Sequence, residues 1–167
     1  MMTTVHAYTS TQQLIDGPSK DFRRGRAGAA NMLPASTGAA LATTKALPEL
    51  TGRFDGVALR VPIPVGSIAD IVFVTARPTS AEEVNDLFRA EAATERYRGI
   101  LGVSDEPIVS SDIIGDSRAS VVDAGMTRVV DGTLVKIMSW YDNEWGFTHQ
   151  MVREALTVLG VTSPRRS

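Results

Sequence analysis

The sequence predicts an α+β domain, a mostly antiparallel sheet with helices on one face. Three observations lead there. Runs of strand character outnumber helical stripes, several of them are joined by short turns, and the helices do not alternate regularly with the strands. The Gly-rich fingerprint that opens a dinucleotide-binding unit is absent from these 167 residues.

Residues 1–9 are apolar and rich in β-branched and aromatic types from the start, which reads as a strand entered without a cap or turn. Residues 10–31 change to polar, Gly, Pro and basic types with no helical stripe. That is longer than most connections in compact domains, so a functional or disordered loop is expected. Pro34-Ala35-Ser36-Thr37-Gly38 leads into an Ala-rich stretch ending at Pro48, the pattern of a helix with Ser36 or Thr37 near its N-cap. Strands are expected over 56–62 and 67–75, around a bend containing Pro and Gly. Ser80 and Glu83 have capping-box spacing ahead of Val84, Leu87, Phe88 and Ala92, whose separations put them on one helical face. Further strands are expected over 107–111 and 117–123, and Asp131-Gly132 marks a hairpin between 127–130 and 133–140. Val152, Ala155, Leu156 and Leu159 mark an amphipathic last helix, with a flexible tail over 161–167. No repeat or linker interrupts the pattern, so 1–160 read as one domain.

A composition of 43% hydrophobic and 22% charged residues suits a single soluble domain with a real core. The net charge of -2 leaves no electrostatic footprint for nucleic acid or for an anionic membrane. No segment is apolar for long enough to span a bilayer or serve as a signal peptide, and a cytoplasmic location is expected. With no cysteine, these residues cannot supply a disulfide, a thiolate zinc site or a thiol nucleophile. No metal-ligand spacing occurs either.

Two histidines are present. His6 ends the first strand beside Tyr8 and Thr9, just before the long loop, where a side chain on a rigid element projects into a site; the alternative is a structural histidine. His149 near the start of the last helix reads as a surface residue. A second constellation suits an anion. Arg23, Arg24 and Arg26 cluster in the long loop, Ser36, Thr37 and Gly38 open a helix with free N–H groups, and Arg60 ends a strand. Singly, the loop arginines equally suit pairing with carboxylates, and Thr37 a plain cap. Third, residues 139–147 crowd aromatic side chains at a strand–helix junction, a pattern that suits core packing. Within it Asn143 carries both a donor and an acceptor for a ligand's amide.

Read together, Thr-Thr-Val-His-Ala-Tyr-Thr (3–9), Asp-Gly-Pro-Ser (16–19), Arg-Arg-Gly-Arg (23–26), Pro-Ala-Ser-Thr-Gly-Ala-Ala (34–40), Leu-Arg-Val-Pro (59–62), Val-Ser-Ser-Asp (109–112) and Ser-Trp-Tyr-Asp-Asn-Glu-Trp-Gly-Phe (139–147) resemble, in order and spacing, the catalytic domain of phosphorylating glyceraldehyde-3-phosphate dehydrogenase. The resemblance implies a mixed, largely antiparallel sheet. It implies that His6 is the base that activates a cysteine and assists hydride transfer to a nicotinamide. Thr9 and Arg60 would bind the substrate's C3 phosphate, and Arg24, Thr37 and Gly38 the inorganic phosphate. Asn143 would hold the nicotinamide carboxamide of NAD, and the segment from Ser10 to Arg26 would line a neighbouring subunit's cofactor site in a tetramer. Gly17-Pro18 resembles the members that prefer NAD.

The chain also departs from the family. Members carry an N-terminal Rossmann domain and a Ser-Cys-Thr-Thr-Asn segment ahead of the strand at which this sequence begins. Ile63 and Phe147 stand where Thr and Tyr are common. The expectation is therefore a truncated oxidoreductase domain, inactive alone, not binding NAD tightly, and oligomeric. The alternative is a non-catalytic phosphate-binding or assembly subunit derived from that domain.

Overall fold

A computed structural model describes residues 1–161. In chain order its elements are β1 (Met2–Ala7), β2 (Leu33–Ser36), α1 (Ala39–Ala46), β3 (Gly56–Val61), β4 (Ser67–Val74), α2 (Ala81–Ala93), β5 (Leu101–Ser104), β6 (Ser120–Asp123), β7 (Arg128–Val130), β8 (Leu134–Tyr141) and α3 (Trp145–Val158). One 8-stranded sheet runs β2-β3-β1-β4-β8-β6-β5, with β7 also on β8. Every pairing is antiparallel except β1 with β3 and β5 with β6. The sheet is thus mixed and mostly antiparallel, the α+β architecture expected.

Its core follows from strand periodicity. On β8, Val135, Ile137 and Ser139 are buried in alternation, and α2 seats Val84 on the first two, with Ile71, Phe88 and Val129 around them. Ser80 caps α2 as its spacing predicted, its Oγ accepting the Glu83 N–H at 3.1 Å. The Glu83 carboxylate turns to Arg77 and Thr79 instead of closing the box. Asp131 (φ 49) and Gly132 (φ 68) both adopt the left-handed conformation in the β7–β8 hairpin.

Several boundaries differ from expectation. Ser36 does not cap a helix: β2 pairs antiparallel with β3 from Leu33 to Ser36, so the ladder consumes it. Gly38 takes the N-cap position, and Thr37 Oγ1 accepts the Ala39 N–H at 3.1 Å. The stretch 107–111 is not a strand, because Asp112 accepts the Val109 N–H at 2.8 Å and curls the chain into a 3₁₀ turn over Ser110–Ile113. The edge strand is instead β5, short and parallel to β6.

The long loop is ordered by its own hydrogen bonds. Asp16 accepts from the Ala27 N–H at 2.9 Å and from Arg26 Nε at 3.1 Å, and the Gly17 N–H reaches the Gly25 carbonyl at 2.8 Å. α3 forms where expected, but its stripe is not buried against described residues: Val152 is 51% and Leu159 73% exposed. The aromatic cluster over 139–147 also splits, since Trp145 and Phe147 are exposed, while Trp140 donates to the buried Asp123 at 3.1 Å. Of the tail predicted over 161–167, residues 162–167 lie outside the described residues. Among those described, no helix is long and apolar enough to cross a membrane.

α3 is anchored from behind by Asp142, which is buried and accepts N–H groups of Gly115 (2.9 Å), Glu144 (3.0 Å) and Trp145 (2.7 Å). Burial pushes its carboxyl up, but the three backbone donors prevail, and its pKa lies below the ordinary carboxylate value. Asp142→Ala removes the shared acceptor of three backbone N–H groups, two of them at the start of α3, so we expect a loss of about 2 kcal/mol, roughly 4–8 °C in thermal melts followed by circular dichroism.

Candidate active site

The parallel pairing of β1 and β3 sets His6 opposite Arg60 at the ends of both strands. Ring nitrogen Nδ1 of His6 lies 2.7 Å from the Ala7 carbonyl oxygen. A carbonyl can only accept, so Nδ1 carries the hydrogen and Nε2 keeps its lone pair in the neutral ring. Arg60 Nη1 converges on the same carbonyl at 3.3 Å and donates to Thr9 Oγ1 at 3.2 Å. Its separation of 3.4 Å from His6 Nδ1 is a contact of two donors that share one acceptor.

The electrostatics follow. Burial, and then the Arg60 charge, lower the His6 pKa from its ordinary 6.5; the Ala7 carbonyl and Glu144 act in the opposite direction and do not prevail. Arg60 is itself held below its ordinary value by burial and by the neighbouring charge of Arg24. Among the described residues no carboxylate bridges Arg60, whereas Arg24 reaches Asp21 at 3.4 Å and Arg26 reaches Asp16. The half-buried Arg60 is thus a cation without a counterion, pressed by a second cation, which is the arrangement an anion relieves.

Beside His6 the sheet opens a cavity of about 370 Å³, lined by His6, Thr37, Thr4, Ser120, Ser139 and Tyr141 together with apolar residues such as Met2 and Ile71. Tyr141 stands edge-on to the imidazole, ring centroids 6.1 Å apart, with its hydroxyl 2.5 Å from Thr4 Oγ1. Burial raises its phenol pKa against the pull of hydrogen bonds to Thr4 and Ser67. Thr37 shares the cavity with His6, and a Cβ on the neighbouring Gly38 would meet nothing within 4 Å, so that corner of the α1 N-terminus is open. Asn143 Oδ1 accepts the Gly66 N–H at 3.0 Å, and Nδ2 is left with no partner among the described residues. Gly66 is required there: its φ is +92°, and a Cβ would fall 2.6 Å from the Ser110 carbonyl oxygen.

An imidazole with a free Nε2, a cation bridged by no carboxylate and an amide N–H donor without a partner among the described residues meet at one end of the sheet. Residues 1–143 match the family model described as glyceraldehyde 3-phosphate dehydrogenase, C-terminal domain. The chain belongs to this family. Glyceraldehyde-3-phosphate dehydrogenase 2 of Streptomyces arenae is 52% identical over 160 residues, 96% of this chain and 47% of that protein. The glyceraldehyde-3-phosphate dehydrogenases of Mycobacterium avium (52% over 152 residues, 91% and 44%) and Mycobacterium tuberculosis (50% over 160 residues, 96% and 46%) are similar to it as well. The chain spans about half the length of the curated relatives it matches.

For this glyceraldehyde 3-phosphate dehydrogenase domain, the residues singled out in the sequence are brought together unevenly. His6, Thr9 and Arg60 touch; Thr37 shares the cavity with His6; Arg24 acts on Arg60 through its charge; and Gly38 lies beside Thr37. Asn143 joins the group through Ser67, whose Oγ lies 3.5 Å from Asn143 Oδ1 and accepts the Ala7 N–H at 3.2 Å. Ser67 and Tyr141 were missed as site residues. Tyr141 sits inside a quoted motif, but Ser67 is one serine at the start of an apolar strand, and nothing local marks it.

Since burial disfavours imidazolium, the unfolded chain binds the His6 proton more tightly than the folded one. His6 therefore costs stability as pH falls below the ordinary 6.5, and the cost stops growing once the folded ring is itself protonated. An NMR titration of the ring protons is expected to give a His6 midpoint below 6.5, and a midpoint above it would refute the buried, cation-facing environment.

Proposed function

We propose that this chain provides the base and phosphate sites of an enzyme that oxidises and phosphorylates glyceraldehyde 3-phosphate to 1,3-bisphosphoglycerate in glycolysis. What carries the reading is Arg60, a half-buried cation that contacts His6, Thr9 and the Ala7 carbonyl and is bridged by no carboxylate among the described residues. Arg60 and Thr9 hold the C3 phosphate, the guanidinium supplying charge and the hydroxyl direction. Arg24, Thr37 and Gly38 take the inorganic phosphate at the α1 N-terminus.

His6 is the catalytic base. The aldehyde first adds a thiol, and neutral Nε2 then accepts the hydroxyl proton of that adduct as hydride leaves its carbon, so a thioester and an imidazolium result. The 167 residues hold no cysteine, so the thiol comes from outside them, and the chain alone is inactive. NAD, the family's nicotinamide cofactor, accepts the hydride when bound. Asn143 fits it: with Oδ1 held by Gly66 and Ser67, its unspent Nδ2 donor suits a carboxamide oxygen. Tight NAD binding to this chain by itself is not expected.

Assembly is the remaining element of the proposal, as a cytoplasmic homo-oligomer of the family's tetrameric kind. Leu14, Ile15 and Phe22 project from an ordered loop at 84%, 75% and 90% exposure, which a monomer gains nothing from showing to water.

Three measurements test this. Calorimetry with phosphate or sulfate should show saturable binding that Arg60→Gln lowers at least about tenfold; an unaltered chain that ignores both anions refutes the pocket. Turnover by the purified chain with glyceraldehyde 3-phosphate, phosphate and NAD would refute the need for an external thiol. Sedimentation is expected to show self-association, and a monodisperse monomer would refute it.

A further inference from the structure

The ladder between β1 and β4 ends at Val5 opposite Ile68. Ala7, fully buried, is left with an N–H that β4 offers no carbonyl to receive, and the hydroxyl of Ser67 takes it at 3.2 Å. Ser67 is 1% exposed, so no water replaces that acceptor. A hydroxyl that accepts one bond still has a hydrogen to give; its other neighbour, the Tyr141 hydroxyl, is already engaged by Thr4, and Asn143 Oδ1 lies in reach at 3.5 Å. The Gly66 N–H holds the same oxygen at 3.0 Å. Two donors on Oδ1 fix which end of the amide is the donor end. On its other side Ser67 fixes Ala7, and the Ala7 carbonyl fixes the His6 tautomer through Nδ1 at 2.7 Å.

We infer that Ser67 is a positioning residue, its buried hydroxyl holding the His6 end of β1 and the Asn143 amide in one frame. The inference rests on the proposed role of His6 as base and deepens it. Ser67 touches neither substrate nor reacting atoms. Its removal orphans the Ala7 N–H, loosens the carbonyl that accepts from Nδ1, and lets the ring adopt the tautomer that occupies Nε2 with hydrogen. Substitution by Thr keeps the hydroxyl and should keep the frame.

The composition makes this measurable, because the chain has two histidines and His149 is exposed on α3. In a ¹⁵N-labelled His149→Gln chain, long-range ¹H–¹⁵N correlations above the His6 midpoint report which ring nitrogen carries hydrogen. The parent is expected to show Nδ1–H. Ser67→Ala should shift the ratio of tautomers about fivefold towards Nε2–H, and Ser67→Thr should restore it. Thr127→Val, which removes a buried hydroxyl that donates to Asn85 at 2.6 Å in a different part of the sheet, controls for general destabilisation and should leave the ratio alone. Should Ser67→Ala not fold, Ser67→Cys, with its weaker donor, carries the same comparison. An unchanged ratio in the folded Ser67 variant, or an equal shift in Thr127→Val, overturns the inference while sparing the base. A parent ring already in the Nε2–H form overturns the base assignment as well.

Discussion

Two donors, the His6 Nδ1–H and an Arg60 N–H, meet on one acceptor, the Ala7 carbonyl. Much of the site depends on that convergence. A carbonyl oxygen has two lone pairs and no hydrogen, so it holds both groups and dictates the tautomer of the first. The geometry needs β1 and β3 to run parallel, because their C-terminal ends then finish together, with residue 6 level with residue 60 and the Thr9 loop immediately beyond. In a sheet otherwise mostly antiparallel, this local exception builds the site.

The same arrangement sets the charges. Burial first, and then the Arg60 charge, disfavours protonation of His6, and the same guanidinium faces the proposed anion site. Arg24 adds to this field even though Asp21 partly compensates it. That burial is supplied by the strands themselves: alternate residues of β1, β4 and β8 wall the cavity in which His6, Thr37 and Tyr141 stand. The wall is largely apolar, with Met2, Ala69 and Ile71 in it, and hydroxyls that enter it are paired, Thr4 with Tyr141 and Ser120 with Ser139.

Surfaces are a different matter. The relatives match nearly all of this chain with about half of their own length. Within the described residues, the apolar stripe of α3 and the tips of the long loop have nothing packed on them. α3 still forms, because Asp142 caps its first turn and Gly146 packs against the Arg118 carbonyl, where a Cβ would come within 2.6 Å. Local capping and one close backbone approach specify the helix without a buried face.

By itself, the sequence determined whatever depends on neighbours along the chain. The α2 cap at Ser80, the Asp131-Gly132 turn, the three helices and most strands were legible because propensity, capping and period-two alternation act over a few residues. The motifs also pointed to His6, Thr9, Arg24, Thr37, Gly38, Arg60 and Asn143. Where nonlocal pairing competes with a local signal, reading failed: Ser36 looked like a cap and is taken by the β2–β3 ladder, and β5 exists because β6 lies beside it. Tertiary structure alone decided the parallel register that joins His6 to Arg60, the lack of a bridging carboxylate on Arg60 among the described residues, and the use of Ser67 to close an unfinished ladder. The first and the last are meetings of atoms more than fifty residues apart, and all three follow from the order of strands in the sheet, invisible to any local pattern.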